Sequence, residues 1–207
     1  MDEAAAEAAA DAGADAIGMI FAPSRRRVSV EEARRITAAL PPFVARVGVF
    51  VDEPRERVAE IVESAALDTI QLHGSEPPEF ARSFSRPVLK TIRVRDAGSL
   101  TQLGAYQVSA FLLDTYDPDL PGGTGRAFDW RLASGAAARH CIILSGGLRS
   151  DNVAEALEWV RPYGVDVSSG VETAGTKDHG KIREFVRRVR EWEDRQSAVA
   201  GPIGGGD

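Results

Sequence analysis

Seven short runs of apolar, mostly β-branched residues recur along this chain, and helical spacing separates them. The runs are Ala16–Phe21, Arg46–Val51, Thr69–His73, Val88–Val94, Ala110–Asp114, Cys141–Ser145 and Val165–Ser168. Runs that are nearly all apolar suit strands covered on both faces, as in a parallel sheet, rather than half-wet hairpin strands. Between them lie stripes at i, i+3, i+4 and i+7: Val58, Ile61, Val62, Ala65 and Ala66; Val153, Ala156, Leu157 and Val160; Ile182, Phe185, Val186, Val189 and Trp192. Ser29 before Glu31 and Glu32, and Ser150-Asp151 before the Val153 stripe, read as helix starts. With a helix over Asp2–Gly13 placed first, the order is helix, then strand and helix seven times. Strict alternation argues for a parallel α/β fold.

An open doubly wound sheet is the rival, but no G-x-G-x-x-G follows an early strand. Polar and glycine-rich residues instead gather after nearly every strand, as at the mouth of a barrel. The expected fold is an α/β (β/α)8 TIM barrel whose first strand is missing from this chain, because the sequence opens inside a helix. Residues 1–195 are expected to form this single domain, and 196–207, small and glycine-rich, a disordered tail.

Composition narrows the function classes. At 207 residues the chain lies near the low end for a plain barrel of roughly 200–250 residues. A net charge of −6 argues against bulk attraction to nucleic acid or an anionic membrane. No apolar run reaches membrane-spanning length, and the N-terminus has no basic region of a signal peptide. A single cysteine, Cys141, allows no intrachain disulfide framework and fits a reducing cytoplasm. Cys141 starts a strand, so it is expected at the bottom end as a small buried apolar residue. The histidines His73, His140 and His179 are scattered, with no metal-ligand spacing.

Candidate site residues cluster at strand ends. Two Gly/Ser groups, Ser145-Gly146-Gly147 and Ser168-Ser169-Gly170, follow the last two strands, where barrel loops commonly bind phosphate through backbone N–H groups. Asp114 ends its strand at the same face, where it suits general-acid work or capping of the next loop. Gln71 and His73 alternate with Leu72 and so face one side, the interior, where they could hold a ligand hydroxyl or pack as core groups. Ser24-Arg25-Arg26-Arg27 could clamp a carboxylate or phosphate, or remain a solvated loop. Asp166 could hold a sugar hydroxyl or pair inside the barrel. Gly122-Gly123-Thr124-Gly125 reads as a lid.

Taken in order, these pieces resemble the phosphoribosylanthranilate isomerase family. The matching stretches are Gly13–Gly18, Val47–Val51, Gln71–Gly74, Leu112–Thr115, Gly122–Gly125 with Phe128-Asp129-Trp130, Leu144–Leu148 and Asp166–Glu172. The resemblance implies an Amadori rearrangement of a phosphorylated amino sugar in tryptophan biosynthesis, with no metal or organic cofactor. It implies that Asp114 is the general acid, that Arg26 pairs the anthranilate carboxylate, and that the two Gly/Ser groups are the phosphate loops. The expected partner is the small substrate alone, in a monomer or homodimer. The family's base is a cysteine in a first-strand Lys-Ile-Cys-Gly motif, and no residue here takes its place. A misassigned start is the expected reason, and the chain as written is expected to be poorly soluble and nearly inactive. The alternatives are a phosphate-ligand binder that has lost its base and a related histidine-pathway sugar-phosphate isomerase; no half-to-half repeat supports the latter.

Overall fold

Seven parallel strands form one curled sheet: β1 (Ala16–Ile20), β2 (Ala45–Phe50), β3 (Thr69–Leu72), β4 (Val88–Val94), β5 (Ala110–Thr115), β6 (Ile142–Leu144) and β7 (Gly164–Val165). The computed structural model describes residues 1–115 and 129–200. Each strand pairs with the next in sequence order, and the end strands β1 and β7 do not pair with each other. The order is that of a (β/α)8 barrel without one strand, open between β7 and β1, as the sequence leads one to expect.

Helical segments separate the strands: α1 (Glu3–Asp11), α2 (Val30–Ala39), α3 (Arg55–Ser64), α4 (Pro78–Ala81), a 3-10 helix (Ala97–Ala105), α5 (Arg131–Ala137), α6 (Val153–Val160) and α7 (His179–Ala200). The Ser29 start is a full capping box: Glu32 N–H donates to Ser29 Oγ at 3.1 Å, and Ser29 N–H donates to Glu32 Oε2 at 2.7 Å. Ser150 and Asp151 do not cap α6. Asn152 stands at that position, and its side chain turns back to accept from Arg149 N–H at 2.8 Å and to donate to Gly147 O at 3.0 Å. The Asn152 side chain thereby braces the loop before the helix rather than capping it.

The outer face of the sheet carries Ile17, Met19, Phe50, Ile70, Leu72, Ile92, Phe111, Leu113, Ile142 and Leu144, all buried against helix stripes. Each fully buried side chain of this size contributes roughly 1.5–3 kcal/mol, so this layer dominates the stability. Ala66, assigned to the α3 stripe, is instead exposed: it lies past the helix with φ at +51°. The last helix continues through Ala200, beyond Gln196, where the sequence places the start of the tail. Nothing among Gln196, Ser197 and Ala198 breaks a helix; the first breaker in the sequence is the Gly-Pro pair at 201–202.

One element has no counterpart in the sequence reading. After β7 comes a 3-10 turn (Ser169–Val171), then an antiparallel hairpin of β8 (Glu172–Thr173) and β9 (Thr176–Lys177). Its two turn residues, Ala174 and Gly175, both have positive φ, at +50° and +83°. That is the requirement of the primed turn that joins two-residue hairpins. Alanine at the first position carries no turn signal, which is why the hairpin is hidden in the sequence.

Candidate functional site

The C-terminal ends of the strands gather the chemistry. On β5 the side chains alternate, with Phe111 and Leu113 facing the helices and Leu112 and Asp114 facing inward. Asp114 is buried, and its Oδ1 accepts from Thr115 N–H at 2.8 Å. Its Oδ2 lies 3.5 Å from His73 Nε2. His73 stands one residue beyond β3 and continues the ladder by donating its N–H to Phe50 O at 2.8 Å. Gln71 and His73 share the inner face as expected, with Gln71 Nε2 3.3 Å from His73 Nδ1 and 3.1 Å from Thr91 Oγ1.

Two residues that sequence reasoning passed over complete this wall. Thr91 bonds Gln71 from β4, and Arg93, two residues on and so on the same face, donates from Nη2 to His73 O at 3.2 Å. The period-2 alternation of β4 would have found both. Behind them, Lys90 points outward into a buried pair with Glu76 at 2.7 Å and donates to Gly74 O at 2.7 Å. Glu76 in turn accepts from the N–H groups of Gly74 and Asp52. This network fixes the loop that carries His73.

The two Gly/Ser groups meet directly. Ser145 follows β6, donates its N–H to Leu113 O at 2.8 Å, and places Oγ 2.8 Å from Asp166 Oδ2. Gly146 has φ at +83°, and a Cβ there would sit 2.6 Å from Thr115 N, so this turn needs glycine. Gly147 follows with φ at +71°. A Cβ on Gly170 would overlap the carbonyl oxygen of Leu148, so the Ser168-Ser169-Gly170 loop packs on the Ser145–Leu148 loop backbone to backbone.

Asp166 stands next to this junction. The protein atoms around it push its pKa above the usual carboxylate range, the Asp114 charge adds to that, and the Ser145 hydrogen bond and Lys177 oppose it. Much of the Asp166 surface nonetheless remains open to solvent in the mouth. Water reaches the carboxylate there and stabilises its charge, which keeps the effect small.

Across the mouth from Asp114, Arg26 forks onto Glu172, with Nε to Oε1 at 2.6 Å and Nη2 to Oε2 at 3.0 Å. Arg25 and Lys177 also reach Glu172, at 3.1 and 3.2 Å, and Lys177 donates to Ser168 O at 2.8 Å. The hairpin thus ties the loop after β1 to the loop after β7, across the open side of the sheet. Burial would raise the pKa of Glu172, but the hydrogen bond from Arg26 and the charge of Lys177 outweigh it and hold the carboxyl below its usual range. Burial pulls Lys177 below the ordinary lysine value, against the pull of Glu172. Lys177 and the role of Glu172 also escaped sequence reasoning, because a charge network over this hairpin needs the hairpin to be seen first.

Cys141 lies at the opposite end of β6, half-buried, with its thiol pKa raised by burial. A shallow cleft lined by Arg34, Arg46 and Asp68 is also at the far end of the strands, and its Arg46 is already paired with Asp68. Among the described residues no three His, Cys, Asp or Glu side chains gather as metal ligands, and no helix is long and apolar enough to cross a membrane. The Gly122–Gly125 segment lies outside the described residues.

Comparison with known proteins agrees with this geometry. The family profile of N-(5'-phosphoribosyl)anthranilate isomerase matches residues 1–188. The chain is 51% identical over 185 residues to an N-(5'-phosphoribosyl)anthranilate isomerase of Pelobacter propionicus, covering 88% of each chain. It is 50% identical over 184 residues to that of Desulforamulus reducens, covering 89% of this chain and 88% of the relative. Among solved structures it resembles phosphoribosyl anthranilate isomerase from Thermotoga maritima, with a TM-score of 0.87 and 40% identity over 92% of this chain and 95% of that one. Fold, family profile and relatives agree: this chain belongs to the phosphoribosylanthranilate isomerase family.

Proposed function

We infer that the chain isomerises N-(5-phosphoribosyl)anthranilate to 1-(2-carboxyphenylamino)-1-deoxyribulose 5-phosphate, a step of tryptophan biosynthesis. The observation that carries this is one buried carboxylate, Asp114, facing two interlocked glycine loops across a single mouth. In this reading the backbone N–H groups of Gly146, Gly147, Ser168, Ser169 and Gly170 hold the phosphate, and Ser145, whose N–H is spent on Leu113 O, anchors the first loop. Asp114 gives its proton to the ribose ring oxygen. The C1–O bond breaks, the nitrogen lone pair forms the C=N bond of a Schiff base, and the ring oxygen leaves as a hydroxyl. Arg26, oriented by Glu172 with Nη1 left over, takes the anthranilate carboxylate. Gln71, His73 and Asp166 line the sugar. The second step removes the C2 proton, and Cys141 stands at the wrong end of the sheet to accept it. Acid–base chemistry suffices for both steps without a cofactor.

The test is an assay of the chain as it stands beside the same chain carrying a family-type Lys-Ile-Cys-Gly strand ahead of Met1, and that extended chain with its cysteine changed to serine. We expect the extended chain to turn over fastest and the serine form to lose most activity while staying folded. Binding of a product analogue without turnover in every form would make the chain a binder and refute the reading. Equal turnover with and without the extension would refute the transfer of the cysteine base. One Thermotoga maritima relative is described as dimeric; for this chain we propose a monomer or homodimer. The small-molecule partner and the single cysteine favour a cytoplasmic location.

A further inference from the structure

The imidazole of His73 poses an unsolved cost. Its Nε2 is buried and has no hydrogen-bond partner among the described residues, although buried polar atoms are nearly always satisfied. The carboxylate oxygen Oδ2 of Asp114 is 3.5 Å away and outside hydrogen-bond geometry. The other ring nitrogen faces the amide nitrogen of Gln71 at 3.3 Å, and that amide is anchored on Thr91. With the Gln71 amide in this orientation its nitrogen donates, so that Nδ1 accepts and Nε2 carries the proton. The ring therefore aims a free N–H at the one carboxylate oxygen that no backbone group holds, since Oδ1 is taken by Thr115. The other charged groups around the ring are accounted for. Arg93 from β4 bonds the His73 carbonyl, Asp166 beyond β7 is bonded by Ser145, and Glu76 and Asp52 are turned onto backbone N–H groups.

We propose that His73 is a positioning residue for Asp114: its Nε2–H closes on Oδ2 as that oxygen gives its proton to the substrate, and Gln71 holds the ring in the tautomer that can do so. The inference rests on reading Asp114 as the acid. The proton count of the step is unchanged, because His73 donates a hydrogen bond and keeps its proton. A hydrogen bond to an ionised acceptor is about twice as strong as a neutral one. The contact is therefore stronger after proton transfer than before, which is the condition for it to speed the step rather than only bind substrate. The long resting distance fits a bond made only when the carboxylate forms.

The test compares His73→Phe, His73→Gln, Gln71→Leu, Asp114→Asn and the double variant Asp114→Asn/His73→Phe. We expect His73→Phe to lose roughly 10- to 100-fold in kcat, the worth of one charge-assisted bond, with a smaller rise in KM from its place beside the sugar. His73→Gln, whose amide N–H reaches the place of Nε2, should recover most of that, and Gln71→Leu should lose less than His73→Phe. On top of Asp114→Asn, His73→Phe should cost nothing further, because it acts through that carboxylate. Full additivity, a loss carried by KM, or parental kcat in His73→Phe would each overturn the inference while leaving Asp114 as the acid. Parental turnover in Asp114→Asn would overturn the reading of the acid itself. Nitrogen NMR of the ring reads the tautomer without any need for turnover: a proton on Nε2 is expected, and a neutral His73 with its proton on Nδ1 sinks the proposal.

Discussion

The two sides of the sheet are built differently. On the β3–β5 side every residue of β5 is buried, and β4 and β5 pair over six residues. On the other side β6 and β7 pair over two, and β1 leaves Ala16 and Gly18 of its inner face exposed. The candidate acid stands on the first side, at the end of a strand held by ladders on both flanks. The candidate phosphate loops and the charged hairpin stand on the second, where positive-φ glycines, one backbone-to-backbone contact and a cluster of ion pairs do the fixing. The division has a physical reason. A group that hands over a proton must be held to a fraction of an ångström, which strands do best. A phosphate offers several oxygens and accepts N–H groups from many directions, which loops supply if glycine removes the Cβ.

That contrast makes ordered predictions. The largest effect belongs to the wall. Asp114→Asn should cut kcat by about 10²–10⁴-fold with little change in melting temperature, since an amide can still accept from Thr115 N–H. A large loss of stability with modest loss of kcat would mean that Asp114 is a loop cap. Next comes the loop side. In Gly170→Ala the new Cβ would meet the Leu148 carbonyl, so the two loops must part. Overpacking of this kind costs about 1–3 kcal/mol, and inorganic phosphate should inhibit the variant less well. Gly18→Ala on β1 is the control, because its Cβ would meet only Val49 Cγ2 at 3.9 Å. Equal damage from both would erase the distinction between the two sides.

How much of this was legible in the sequence follows the same line. The wall was nearly all there to read: β4 runs Val88–Val94 in sequence and structure alike, and the period-2 rule put Gln71 and His73 on one face with the bond between them to show for it. Apolar runs and alternation are local, and they determine strand order and the inward residues. The loop side was legible only in its glycines. Ser145-Gly146-Gly147 and Ser168-Ser169-Gly170 could be placed at one end of the sheet, but their contact through Gly170 and Leu148 depends on chain path. The pairing of Arg26 with Glu172 joins residues 146 apart in sequence, through a hairpin whose turn begins with alanine. No local pattern announces that.

A smaller effect tests the charge cluster. Arg26→Ala should raise the substrate KM far more than Arg25→Ala, whose side chain is 62% exposed against 16% for Arg26. In stability Arg26→Ala should cost about 1–2 kcal/mol, as the loss of a charge-assisted bidentate contact, and Arg25→Ala roughly 0–1 kcal/mol. The pH dependence has a definite sign. The folded pKa of Glu172 lies below its ordinary value of 4.5, so the stabilisation it gains from Arg26 is present above pH 4.5 and fades as pH falls through the lowered value. The stability gap between parent and Arg26→Ala should therefore narrow in acid, as denaturant melts across that range would report. A gap that widened in acid would place the bond elsewhere.

The smallest effect falls on Asp166, where the loop side bears a functional cost. Its folded pKa is raised above the ordinary 3.8, first by burial and then by the Asp114 charge. A raised carboxylate pKa means that the ionised form is held against its preference, so the fold is penalised at neutral pH and relieved below pH 3.8, where folded and unfolded chains are both protonated. Asp166→Asn keeps an oxygen to accept from Ser145 Oγ and removes the charge. It should raise the melting temperature slightly at pH 7, the gain should shrink as pH falls through the raised value, and it should vanish below pH 3.8. The solvent-facing side of Asp166 keeps the gain small. If Asp166 also holds a sugar hydroxyl, the same variant should bind substrate less tightly, so a more stable protein would be a poorer enzyme. Lower stability at pH 7 would mean that Lys177 and Ser145 stabilise the carboxylate more than its crowding penalises it, and Asp166 would then be a structural anchor of the loop junction.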